Sequence, residues 1–345
     1  MKRPLRLLAL VPAFALAPLL ALEPPKVIAP PKGYVAHEAA KPPTIDGKLD
    51  DAVWADAAWT DDFVDIEGDA KPKPRFRTRV KMAWDDAALY LAAEMEEPHV
   101  WATLDKHDSV IFHDPDFEVF LDPDGDNHLY GELELNAKNT TWDLLLSKPY
   151  KDGGRALNGW EIIGLKTAVK VQGTLNDAID KDTGWTVEIA WPWDGLKELS
   201  KSAAPPKDGD RWRINFSRVE WDITIENGKY VKVPKKPEYN WVWSPQGVID
   251  MHRPERWGYL QFSTAKPGTV KYESDKTQAV KDQLHELYYA QRNYAEKHKR
   301  YATTFEELGA KFAGTLEPTT RGYEYSLPFG GKRIGISHDA LLWSK

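Results

Sequence analysis

The chain has 345 residues, 42% hydrophobic and 29% charged, with a formal net charge of -7, the balance of an ordinary globular protein with room for about two domains. Such a charge gives no broad basic field to attract phosphate backbones, so nucleic acid is not an expected partner. The lack of cysteine excludes disulfides, thiolate zinc sites and a cysteine nucleophile.

Residues 1–21 carry Lys2, Arg3 and Arg6, then an apolar run from Leu7 to Leu20, with small residues at Ala15, Ala17 and Ala21. This is the pattern of a signal peptide. The run falls short of the ~20 residues a membrane span needs and is broken by Pro12 and Pro18. A secreted or periplasmic chain with no transmembrane anchor after signal removal is therefore expected. Residues 22–41 are Pro-rich without an apolar period and predict a linker, or an arm laid along a domain.

Residues 42–265 read as strands. RTRVKMAW and ALYLAAEM alternate apolar with polar or small residues on either side of Asp85-Asp86, as half-buried strands do. DFEVFLD and LYGELELNA alternate likewise around DPDGDNH, a turn-rich stretch. TWDLLLS, GWTVEIAWPW, RWRINFSRVEW, YNWVWS and RWGYLQFS continue the series. Many short strands with turns between them predict an all-β fold, an antiparallel β-sandwich.

Residues 272–345 change character and predict a small α+β carboxy-terminal appendix. Val280, Leu284, Leu287, Tyr288, Gln291 and Tyr294 fall on one face at helical spacing. That face packs on the sandwich or on the appendix's own hairpin, or else the 277–301 helix receives a protein partner. Thr304 and Glu307 form a capping-box pattern, and YEYSLPFGGKRIGIS predicts a hairpin turning at Gly330-Gly331.

The pieces PPTIDGKLDDAVWADAAW, AWDDAALYLAAE, PDFEVFLDPDGD, LELNAKNTTWDL and PERWGYLQF, in this order, make residues 42–262 resemble a family 9 carbohydrate-binding module. The resemblance implies a jelly-roll-like sandwich that holds the end of a sugar chain between two aromatic rings. It also implies calcium as a structural cofactor and, because such modules accompany xylan-degrading enzymes, a place in polysaccharide catabolism with a xylan- or cellulose-class ligand. A pyranose has an apolar C–H face and a hydroxyl rim, so a flat ring covers the face while carboxylates, amides and Arg satisfy the rim.

By this resemblance Phe112 is the first ring, Glu118 the sugar-contacting carboxylate and Asn136 a polar position on the next strand. Two positions depart from the pattern: Glu134 stands where a basic residue is expected, and Met251 where the second ring is. Trp241 and Trp243 share one face of their strand, and that face is either core or the source of the missing ring. Trp257 reads as core. His252 and Arg253, with Glu255 in the polar MHRPER loop, are candidates for the hydroxyl donors.

DPDGDN has acidic residues at alternate places, but the twelfth position from Asp122 is Leu133, so it is no EF-hand and reads as a solvated turn. His107 and His113 flank Asp108 and Asp114 and with Glu118 could form a metal cluster, though the spacing matches no ligand motif; the metal ligands stay unknown. The leading expectation is a non-catalytic carbohydrate-binding protein. Its alternatives are an O-glycosyl hydrolase pairing Glu118 with Glu132 or Glu134, and a β-sandwich adaptor that has lost its sugar site.

Overall fold

The computed structural model describes residues 22–25, 30–199 and 204–345; the signal-peptide segment lies outside the described residues. Thirteen strands form one curled sheet. Its order runs from the edge strand Ala156–Leu157 through Thr141–Leu146, Tyr130–Asn136 and Asp116–Asp122 to Arg211–Glu220. It continues through Gly258–Ser263, Gly33–Glu38, Thr78–Trp84, Ala88–Glu96 and Gly184–Pro192 to Lys166–Gln172. Arg211–Glu220 pairs with Gly258–Ser263 over its first half and with Tyr239–Val242 over its second, and the latter also pairs with Val64–Asp65.

The pairing is antiparallel apart from Gly33–Glu38, which runs parallel to both of its neighbours. The Pro-rich segment is thus no mere linker: its end supplies a strand between the two halves of the sheet. The sheet curls over itself as a sandwich, and the alternation read in the sequence sets what lies between the halves. Phe117, Val119 and Leu121 of one strand and Trp212, Ile214 and Phe216 of its neighbour point into a core that also holds Val80, Leu91, Trp185 and Ile189 from the other half. Burying each such side chain contributes about 1.5–3 kcal/mol.

Trp241 and Trp243 belong to this core, 3% and 1% exposed. Trp243 lies flat over Gly258, where an added Cβ would meet its ring at 2.3 Å. The phase of the strand therefore sends both rings inward, and the reading of either as a sugar-facing ring is corrected. Trp257 is fully buried in a second cluster with Phe120, Tyr130 and Leu144 on the opposite face of the sheet.

In the appendix, the helix Gln278–His298 packs on a four-stranded antiparallel sheet formed by Thr315–Pro318, Tyr323–Phe329, Lys332–Ser337 and Leu342–Ser344. Leu284, Leu287 and Tyr288 meet Tyr323, Tyr325 and Ile336 in a core of their own, so the apolar strip that a partner would need is covered from within. The predicted capping box forms no α-helix: only a single 3₁₀ turn, Glu306–Leu308, is present, with Glu307 accepting from Thr303 N at 2.7 Å. The hairpin turns at Gly330-Gly331 with positive φ at both, a geometry glycine adopts freely.

A second strip of the helix, His285, Tyr289 and Arg292 at i, i+4 and i+7, docks on the sandwich. Tyr289 donates its hydroxyl to Glu255 at 2.5 Å and receives Arg253 at 2.7 Å. Arg292 and Tyr288 both donate to Asp152, at 2.7 and 2.5 Å. Asn127 donates to the carbonyl of Ala340 at 2.9 Å.

Glu255 is buried at this seam. Burial acts against its charge, but Lys151, His285 and Arg253 prevail and hold its carboxyl down to about 2. A depressed carboxylate contributes stability that is complete above its unfolded value and is lost as pH falls through the folded one. Glu255→Gln should therefore cost on the order of 3 kcal/mol at pH 7, with the deficit closing between about pH 4.5 and 2. Urea unfolding of both proteins across that range checks it; a gap independent of pH would contradict the assignment.

Candidate functional site

On the face of the sheet away from the main core, strand alternation gathers a group of carboxylates. Asp116 and Glu118 project there from one strand, and Glu132 and Glu134 from the next, with Glu118 directly opposite Glu134 and Phe120 opposite Glu132. Trp142 stands opposite Glu134 on the strand beyond. Glu118, Glu132 and Glu134, with Phe120 and Leu144, line a concave cavity of about 290 Å³. Its walls come from Phe112, from Tyr150 and from the loop of Ile249, Asp250, Met251 and His252.

The walls are fixed by specific bonds. Phe112 donates its N–H to Glu134 Oε2 at 3.0 Å while its carbonyl accepts from the Trp221 indole at 3.1 Å. Its ring is thereby presented from a short 3₁₀ turn, Ile111–His113. The Met251 carbonyl accepts from Trp257 Nε1 at 2.8 Å, and the Tyr130 hydroxyl lies 2.9 Å from His252 Nδ1. Tyr150 packs edge-on to His252 with ring centroids 4.4 Å apart.

The electrostatics are one-sided. Glu118, Glu132, Glu134, Glu238 and Asp250 line the cavity, and among the described residues no Lys or Arg does. Burial pushes the Glu118 carboxyl up to about 7. Burial first, then the charge of Glu118, drives Asp116, Glu132 and Glu134 well above the ordinary carboxylate range. His252 adds no positive charge at neutral pH, because burial holds it down to about 4.

Of the residues expected at the site, Phe112, Glu118, Glu134, Met251 and His252 come together in this cavity. Arg253 does not: it is 4% exposed and turned to the appendix, bonded to Asp250 and Tyr289. Asn136 is fully buried and shapes a turn instead, donating to Leu104 O and Asp114 and accepting from Lys138 N and Thr140 N. Trp142, Tyr150 and Glu238 were missed as site residues. Trp142 could have been found from register, since it faces the same way as the residue opposite it.

The metal cluster weighed for His107, His113, Asp108, Asp114 and Glu118 does not assemble around Glu118. His107 instead meets Thr141 and Glu161, and Asp114 accepts from Thr103 N and Leu104 N at 2.8 Å each. Asp122, in the acidic turn, accepts from Gly125 N and Asn127 N at 2.9 Å each, which is turn chemistry. No helix among the described residues is long and apolar enough to cross a membrane.

Comparison with known proteins agrees with this architecture. A search of curated proteins finds no match. Among solved structures, a protein from Bacteroides uniformis described as a candidate carbohydrate-binding protein is similar at 16% identity, covering 68% of this chain and 100% of its own, with a TM-score of 0.50. A family 9 carbohydrate binding module from Caldicellulosiruptor kristjanssonii is similar in complex with cellotriose (18% identity, 71% and 100% coverage, TM-score 0.46). The same module with glucose gives 19% identity, 71% and 98% coverage and a TM-score of 0.45. The family model described as "Carbohydrate family 9 binding domain-like" matches residues 45–229, more than half of the chain and four of the strands that build the cavity, and the protein belongs to that family.

Proposed function

We propose that the protein is a non-catalytic carbohydrate-binding protein that takes the end of a xylan- or cellulose-class chain in the cavity above Glu118 and Glu134. The observation that carries this reading is the cavity's composition: rings at Phe112, Trp142 and Tyr150 beside carboxylates on a rigid sheet. Rings cover the apolar face of a pyranose while carboxylates accept from its hydroxyls. The volume lies near the lower end of small-ligand sites, about 300 Å³, which suits one or two sugar rings rather than a long stretch of polymer. The export signal read in the sequence, and family membership, support action on sugars outside the cytoplasm.

A hydrolase reading is less well supported. A glycosidase sets its two carboxyls across a sugar from each other, whereas Glu118 and Glu134 stand side by side on neighbouring strands of one floor. Calorimetric titration against xylan and cellulose oligosaccharides, with product analysis of the same samples, tests both readings. Saturable binding without cleavage is expected, weakened about 10- to 100-fold in Glu118→Gln, as loss of a charge-assisted hydrogen bond requires. Absence of binding to every sugar would overturn the proposal, and cleavage products abolished by Glu118→Gln would replace it with the hydrolase.

A further inference from the structure

The charge balance of the cavity is at odds with a ligand that carries no charge. Of the five acids lining it, Asp250 alone has a cationic partner among the described residues, Arg253 Nε at 2.6 Å. Glu118 and Glu134 stand opposite each other on neighbouring strands, with Glu132 two places before Glu134 on the same face, and all three are buried. Lys232 is the cation whose field reaches Glu238, but its ammonium is seated over the Trp221 ring, 3.4 Å from the centroid.

A second observation points from these acids to a donor. Glu132 lines the cavity at 4% exposure, and its buried Oε2 has no hydrogen-bond partner. Buried carboxylate oxygens are normally satisfied, and a sugar hydroxyl offers them one neutral O–H where an ammonium offers three charged N–H groups. The walls suit a cation too, since Phe112, Trp142 and Tyr150 carry rings whose faces attract positive charge. Burial, joined at Glu132 and Glu134 by the charge of Glu118, holds the floor's carboxyls above the ordinary range. The empty floor therefore keeps protons whose place an ammonium can take.

Resting on the sugar-binding reading above, we propose that the cavity selects a chain end whose terminal pyranose carries a free amine, with the ammonium seated among Glu118, Glu132 and Glu134. The β-linked backbone of a cellulose-class chain is kept, and one hydroxyl is exchanged for an amine. An N-acetylated unit does not meet the need of this floor, because its amide gives a single neutral N–H and adds bulk to a cavity of about 290 Å³. A uronic acid end is disfavoured by the same floor, since like charges repel strongly where water is excluded.

The test is a calorimetric titration of the full chain at about pH 6.5, where a sugar amine is charged, with chelator present so that no metal ion supplies the counter-charge. Three β-1,4-linked trisaccharides that differ in one substituent are compared: the glucosamine trimer with free amines, its N-acetylated counterpart and cellotriose. The free-amine sugar is expected to bind at least about tenfold tighter than either neutral one, the lower end of what a charge-assisted hydrogen bond contributes. In Glu132→Gln this preference should shrink at least about threefold, with the melting temperature of the variant confirming that it is folded. Cellotriose bound as tightly as the free-amine trimer by the wild type overturns the inference and leaves the sugar-binding reading standing, whereas absence of binding to all three removes both. The full preference retained in folded Glu132→Gln would seat the ammonium elsewhere and overturn the assignment to this floor.

Discussion

Arg218→Met should lower the unfolding free energy by about 3–5 kcal/mol. Arg218 is fully buried, with Nη2 at 2.7 Å from both Glu97 and Glu220 and Nη1 at 2.8 Å from the Glu96 carbonyl. Burial and then the charge of Glu220 push Glu97 up to about 9, and Arg218 is the cation that answers the negative charge of this pair. Methionine fills similar volume but leaves that charge desolvated and unpaired. Adding Glu97→Gln and Glu220→Gln should recover much of the loss, since neutral packed groups replace a buried ionic triad at little cost. Guanidinium unfolding at pH 7 measures both; a single variant within 1 kcal/mol of wild type, roughly the worth of a surface pair, would refute the buried-triad account.

Asp152→Ala should be of comparable severity, about 3–5 kcal/mol, because it strands a buried guanidinium. The Asp152 side chain is wholly buried and accepts from Tyr288, Arg292 and Lys151. Arg292 keeps only neutral partners once the carboxylate is gone, the Lys151 carbonyl at 2.7 Å and the Tyr288 hydroxyl at 3.2 Å. The consequence reaches the cavity, since Tyr150 stands in its wall two residues before this anchor. Faster amide exchange across 149–154 and in the facing turns of the helix is expected, with ligand affinity falling roughly tenfold, about 1.4 kcal/mol. Wild-type exchange in both segments would show that the appendix does not brace the loop.

The strands were legible because each half-buried strand repeats with period two; DFEVFLD and GWTVEIAWP became Asp116–Asp122 and Gly184–Pro192. Glu118, Glu134, Phe112, Met251 and His252 were placed together by the order of the motifs. What alternation cannot give is which of two faces is the core when both carry large side chains, and Trp241 and Trp243 were ambiguous for that reason. Arg253 and Asn136 misled because a polar residue in a loop or at a strand end looks the same whether it meets ligand or its own protein. The strand Gly33–Glu38 was hidden by the prolines before it, and its parallel partners are far away in sequence.

The placement of Glu118 against Glu134 and of Phe120 against Glu132 divides the cavity into parts with different freedom. Residues opposite one another on antiparallel strands keep their Cβ atoms about 4.5–5.5 Å apart by the backbone ladder, so the points from which the floor's side chains rise are fixed whatever their rotamers. The walls at Phe112, Tyr150 and Ile249–His252 stand outside the sheet's regular strands and answer to no such ruler. Diversification of what this scaffold accepts should therefore run through its loops. The charge pattern beneath can be changed only by replacing residues outright, one strand position at a time.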